Sequence, residues 1–132
     1  MALFTKCILK DKNEIDGLRI SVMSRHTLND GVTKDERITE QKFDLHYPQL
    51  GPSPRLIGDY YKRGLSWEEF EKRFIDEMLN PASITLLKEI AQKALNENIT
   101  LMCIEETPHN CHRSLLAKQC KIFLPDLVVE YY

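Results

Sequence analysis

The chain has no apolar run approaching the ~18–20 residues that cross a bilayer, which argues against a helical membrane protein. No secretory leader is expected either. Met1-Ala2-Leu3-Phe4-Thr5-Lys6 carries no basic segment followed by an apolar core and a cleavage site, so a cytoplasmic location is expected. Net charge is nearly absent, with 18 Lys and Arg against 20 Asp and Glu. That balance argues against a protein that coats nucleic acid by bulk electrostatics, while leaving room for a local basic patch. No Cys-x-x-Cys pair occurs among Cys7, Cys103, Cys111 and Cys120, which in a reducing compartment are expected as thiols. No internal repeat or low-complexity stretch interrupts the chain.

What remains is an ordinary globular mixture, 42% apolar and 29% charged, over 132 residues. A single domain over 1–132 is expected, burying roughly two thirds of its unfolded surface. Leu3 to Leu9 reads as a first strand. Leu18 to Ser24, released by Gly17, alternates like a second. Residues 25–54 read as a long polar loop with turn signals at Asn29-Asp30-Gly31 and Gly51-Pro52-Ser53-Pro54; such loops commonly cover a site.

Three helices follow. The first is a short candidate over Arg55–Arg63, ended by Gly64. Ser66-Trp67-Glu68-Glu69 has the form of a capping box, with Leu65 and Phe70 placed as a hydrophobic staple. Trp67, Phe70, Phe74, Ile75 and Met78 then make one apolar face. Asn80-Pro81 ends that helix and begins the next, for which Asn98 is the expected left-handed stop. Ile99 to Ile104 is almost wholly apolar, as in a strand covered on both faces. Asn110 is expected to cap a further helix, and Leu127 to Tyr131 reads as a last strand. The order predicts an α/β fold, a mainly parallel sheet flanked by helices.

In open parallel sheets ligands bind beyond the carboxyl ends of the strands. Two such ends are polar here, Ser24-Arg25-His26 and Glu105 to Arg113. If their strands are neighbours, Arg25, Glu105, Cys111, His112 and Arg113 converge on one rim. An Asn110 cap would put Cys111, His112 and Arg113 in a first helical turn, where free amides and the helix dipole favour an anion. A guanidinium in that turn wants an acidic partner, and both Glu105 and an anionic ligand qualify. Cys111 sits where a thiolate would be favoured, with His112 as a candidate acid or base, although the bland alternative is a packed thiol. Cys103, His109, Cys111 and His112 are types a zinc ion accepts, but without a recognised spacing no metal is assigned. Tyr60, Tyr61, Lys62 and Arg63 join aromatic faces to positive charge, useful toward nucleotides, and equally consistent with simple helix packing. His26 and His46 carry no assignment.

The run Thr100-Leu101-Met102-Cys103-Ile104-Glu105-Glu106-Thr107-Pro108-His109-Asn110-Cys111-His112-Arg113-Ser114-Leu115-Leu116-Ala117 resembles the signature of the "domain of unknown function 488" family. There an apolar strand ending Cys-x-Glu leads through a short loop to Cys-His-Arg opening a helix. Leu56 to Tyr61 and Trp67-Glu68-Glu69-Phe70 resemble its upstream elements, so the likeness spans nearly the whole chain. It implies Cys103, Glu105, Cys111, His112 and Arg113 as motif positions. The family's Asp-x-Arg after an early strand becomes Met23-Ser24-Arg25 here, which keeps only the arginine. The resemblance implies a fold and a site, not an activity.

Three functions fit these residues. In the leading one a small anionic or phosphorylated ligand, a nucleotide or a nucleic-acid element, sits at the Cys-His-Arg turn. Arg25, Arg113, Asn110 and Tyr60 would bind it, and Glu105, Cys111 and His112 would supply any catalysis. No cofactor is identified. The second is a non-catalytic binding or regulatory module associated with nucleic acid, which needs a basic strip from Arg25 through Arg63 to Arg113. In the third the motif is structural, with Arg113 buried, paired and without a cavity beside it.

Overall fold

The computed structural model describes residues 1–132. Five strands, β1 (Leu3–Cys7), β2 (Leu18–Ser21), β3 (Leu45–His46), β4 (Ile99–Cys103) and β5 (Val129–Tyr131), form one sheet in the order β3-β2-β4-β1-β5. Every pairing is parallel. The helices are α1 (Pro54–Arg63), α2 (Trp67–Met78), α3 (Pro81–Ala94) and α4 (His112–Phe123). The expected α/β class is the one observed.

β4 is the central strand, and its run of apolar side chains reflects that position. It pairs with β1 from Leu3↔Ile99 to Cys7↔Cys103 and with β2 from Leu18↔Ile99 to Ser21↔Met102, and all of its residues are buried. Alternation along the strands sends Leu3, Ile20, Val22, Ile99 and Leu101 to one face. There they join Leu56 of α1, Phe70 and Phe74 of α2, Leu87 and Ile90 of α3 and Leu116 of α4 in a single apolar core.

The opposite face has no α-helix. Phe4, Lys6, Arg19, Ser21, Thr100 and Met102 alternate toward it, and the connections 8–17 and 22–44 cover it with polar partners and with a small apolar cluster in which Ile8 and Ile38 join Met102. Lys6 reaches Asp16 at 2.8 Å, Arg19 reaches Asp44 at 3.0 Å, and Thr100 Oγ1 donates to the Asp16 carbonyl at 2.7 Å. Return crossings between parallel strands usually need a helix. Here residues 8–17 manage with a single 3-10 turn, and Gly17 makes the entry to β2. Its φ is +62°, and a Cβ there would stand 2.0 Å from the Asn98 carbonyl oxygen, so only glycine fits.

Helix ends follow local chemistry. Ser53, Ser66 and Asn80 each accept a hydrogen bond from the amide three residues on, and prolines open α1 and α3. Ser66 makes only the forward half of a capping box, because Glu69 turns instead toward Lys72 at 4.0 Å. Other local expectations change. The first two strands end earlier, at Cys7 and Ser21, and the long loop contains the two-residue strand β3. Asn98 is not a left-handed stop: its side chain accepts from the Ala2 amide at 3.1 Å and donates to the Ile15 carbonyl at 2.8 Å, tying three segments together at the amino end of the sheet.

Candidate functional site

Cys103 is the last residue of β4 and shares the helix-facing parity of Ile99 and Leu101, which aims it at the start of α4. Between them the chain turns through Asn110, whose φ of 51° lies in the left-handed region that asparagine tolerates. Asn110 is therefore not the cap. That position belongs to Cys111, whose backbone is extended and whose side chain makes no capping bond, and His112 and Arg113 form the first turn. Pro108 anchors the approach by accepting from Ser114 Oγ at 2.6 Å.

Cys103, Cys111 and His112 meet at this corner. Their sulfur atoms and a ring nitrogen all lie within 4.8 Å of one another, and all three residues are buried. His112 Nε2 is 2.7 Å from the Val22 carbonyl oxygen at the end of β2. A carbonyl can only accept, so Nε2 carries hydrogen, and a neutral ring presents the Nδ1 lone pair inward. Nδ1 is 3.6 Å from Cys103 Sγ. The thiols differ. The Cys111 S–H donating to it, the Arg113 charge and nearby main-chain amides hold Cys103 below the usual thiol value despite its burial. The Cys103 partner and burial push Cys111 well above it. The lowered thiol expected at Cys111 is thus found at Cys103 instead, because Cys111 is the donor of the pair and Cys103 the acceptor.

Arg113 is fully buried. Its Nη1 donates to the Glu105 carbonyl at 2.8 Å and to Cys111 Sγ at 3.2 Å, and its Nη2 donates to the main-chain oxygen of Tyr132 at 3.1 Å. Nε has no partner. The anticipated pairing with the Glu105 carboxylate does not form. That carboxylate instead accepts from Tyr61 Oη at 2.6 Å. Desolvation at that end of the ring, with the carboxylate beside it, raises the Tyr61 phenol and keeps it a donor.

A cavity of about 410 Å³ opens above the corner, at the carboxyl ends of β2 and β4. Cys103, Cys111 and His112 form its buried floor. Tyr60, Trp67 and Phe70 give it an aromatic wall, with Tyr60 4.9 Å from Phe70 and 5.9 Å from Trp67 between ring centroids. Exposed Arg25 and Lys62 stand at the rim, and Arg25 donates to the Gly31 carbonyl at 3.1 Å.

Of the residues expected at a site, Arg25, Tyr60, Glu105, Asn110, Cys111 and His112 line this space. Arg113 lies beneath it and does not reach it. His109 is exposed and outside the thiol–imidazole cluster, so the four-residue metal set considered from sequence does not assemble. Tyr61 and Lys62, read from sequence as an aromatic and cationic pair, and Cys103, read as a motif position, also line the cavity, and Trp67 joins it without having been singled out for a site. Trp67 of α2 carried only the signal of an apolar helix face, so its place in the cavity wall needed the tertiary fold. His26 and His46 lie on the polar side of the sheet, their rings stacked 4.1 Å apart, with His26 Nε2 2.7 Å from Ser21 Oγ. Burial and the neighbouring His46 lower His26 to about 4.

No helix is long and apolar enough to cross a membrane. No curated protein and no solved structure matches the chain. The family model described as "Active DUF488-N3 subclade", DUF488-N3a, matches residues 3–121, from the first residue of β1 into the last turn of α4. That span contains every residue of the cavity. The chain belongs to this subclade of the domain of unknown function 488 family.

Proposed function

We propose that the protein binds a small, planar, negatively charged ligand of the nucleotide class in the cavity beyond β2 and β4. The observation that carries this reading is the cavity's polarity. An aromatic wall stands beside a floor of thiols and imidazole, with two cations at the rim. Base rings gain roughly 1–3 kcal/mol each from stacking on an aromatic side chain, and a phosphate is attracted by exposed guanidinium and ammonium groups. Tyr60 would take the ring, Arg25 and Lys62 the charge, and Asn110 the polar edge of the ligand.

Arg113 has a different part from the one expected of it. Sealed below the cavity, it positions Cys111 and the Glu105 main chain, while Arg25 is the guanidinium free to meet an anion. Glu105, Cys111 and His112 supply a carboxylate, a thiol and an imidazole, the groups that acid–base or nucleophilic chemistry requires. A module that coats nucleic acid fits less well. Its basic strip would pass through Arg113, which is buried, and Arg63, which pairs with Asp59.

Isothermal titration with a panel of nucleosides, nucleotides and inorganic phosphate tests the reading. Nucleotides are expected to bind more tightly than either nucleosides or phosphate. Arg25→Ala is expected to weaken nucleotide binding by ~10-fold, or ~1.4 kcal/mol, without altering nucleoside binding. Equal weak binding of every compound, unaffected by Tyr60→Ala, would refute it.

A further inference from the structure

The cavity floor has a second property that stands whether or not a nucleotide fills the space above it. We infer that Cys103, Cys111 and His112 form a binding site for a zinc-class divalent ion, with a fourth coordination position open to the cavity. These are two thiolate-forming side chains and one imidazole, a ligand set that zinc accepts, and a site of three protein ligands leaves room for water or substrate. Their donor atoms lie within 4.8 Å of one another.

Two distances fit an ion at this place. A tetrahedral zinc with bonds of ~2.3 Å to sulfur and ~2.0–2.1 Å to nitrogen separates those two ligands by about 3.6 Å. Cys103 Sγ and His112 Nδ1 are 3.6 Å apart. The other nitrogen of His112 is bonded to the Val22 carbonyl at 2.7 Å, the outer-shell contact that typically fixes the tautomer and orientation of a metal-binding histidine. Arg113, donating to Cys111 Sγ at 3.2 Å, offsets the negative charge of a second thiolate. Binding balances simply: both thiols release their protons to solvent, their sulfur atoms and the Nδ1 lone pair bond to the ion, and no oxidation occurs. The ion would sit where the Glu105 loop and the aromatic wall face it, so an oxygen atom in the open position lies inside the cavity.

Cobalt(II) titration tests the assignment, using the full chain, reduced with a phosphine and freed of metal by dialysis against a chelator that is then removed. A single ion per chain is expected, with the thiolate-to-cobalt charge-transfer band and the intense visible bands of tetrahedral coordination. Zinc should displace it. Cys103→Ser, Cys111→Ser and His112→Gln should each weaken binding by at least ~100-fold, whereas Cys120→Ser should not. Should the ligand variants fail to fold, alkylation of the wild-type thiols is the second readout, with zinc expected to protect Cys103 and Cys111. Absence of the charge-transfer band, or unchanged alkylation with zinc present, would overturn the proposal, leaving a thiol–imidazole hydrogen bond in its place.

Discussion

The two faces of the sheet are covered by different physics. On one, four helices bring an aromatic and aliphatic layer onto Leu3, Ile20, Ile99 and Leu101. On the other, connections without an α-helix hold Lys6, Arg19 and Thr100 through ion pairs and main-chain bonds, with only a small apolar cluster of Ile8, Ile38 and Met102 beside them. The first cover is non-directional and gains from buried area. The second depends on angles and on each polar group finding its partner. The cavity lies where the helical cover meets the loop that follows β2, and so it draws stacking rings from one and Arg25 from the other.

The largest effect expected on this contrast is in the helical cover. Phe74 is fully buried and stands edge-on to His112 at 5.5 Å between ring centroids. Phe74→Ala should destabilise the fold by ~3–5 kcal/mol, measured by urea denaturation. A loss below ~1 kcal/mol would show the core relaxing around the gap. Arg113→Ala comes next, at ~3 kcal/mol, because it removes the buried donor to the Glu105 carbonyl, the Tyr132 main-chain oxygen and Cys111 and leaves a void in its place. Arg113→Lys should recover part of this, since an ammonium serves fewer of those directions. If alanine there leaves the denaturation midpoint unchanged, the corner is not held as described.

On the loop side the effects are smaller and titrate. Asp44→Asn should remove ~1 kcal/mol after allowance for the solvent exposure of its side chain. Hydrogen bonding from Arg19, with its charge, holds Asp44 below the usual carboxylate range. Its contribution is therefore complete above the ordinary carboxylate value near ~4 and vanishes as pH falls through the lower folded value. The gap between wild type and Asp44→Asn should close over that acidic interval. His26 gives the mildest test. With its folded value at about 4 against an ordinary 6.5, the unfolded chain binds more protons between those limits. Stability should thus decline as pH falls from 6.5 toward 4, more in the wild type than in His26→Gln. Identical pH profiles would place His26 in water.

The helical cover was readable because it is periodic. Trp67, Phe70, Phe74 and Met78 mark one face of α2, and Ser66 and Asn80 mark where α2 and α3 begin. The continuous apolar run of β4 likewise announced a central strand. The loop cover was not readable, since Arg19–Asp44 and Lys6–Asp16 join residues whose partners no period indicates. β3 is too short to leave a pattern. At the candidate site, the Cys-x-Glu and Cys-His-Arg motifs lie at the corner below the cavity. The one-residue shift of the cap from Asn110 to Cys111 depends on a left-handed backbone angle, and it decided which groups turned inward.

The contact between His112 and the carbonyl of Val22 has one further consequence. That carbonyl belongs to the peptide backbone, so any amino acid at position 22 would offer the same acceptor. Substitutions there can erode packing while leaving the imidazole's proton where it is, and only a slip in the pairing of β2 with β4 would remove it. The setting of the ring is thus protected against point mutation and exposed to changes in strand alignment.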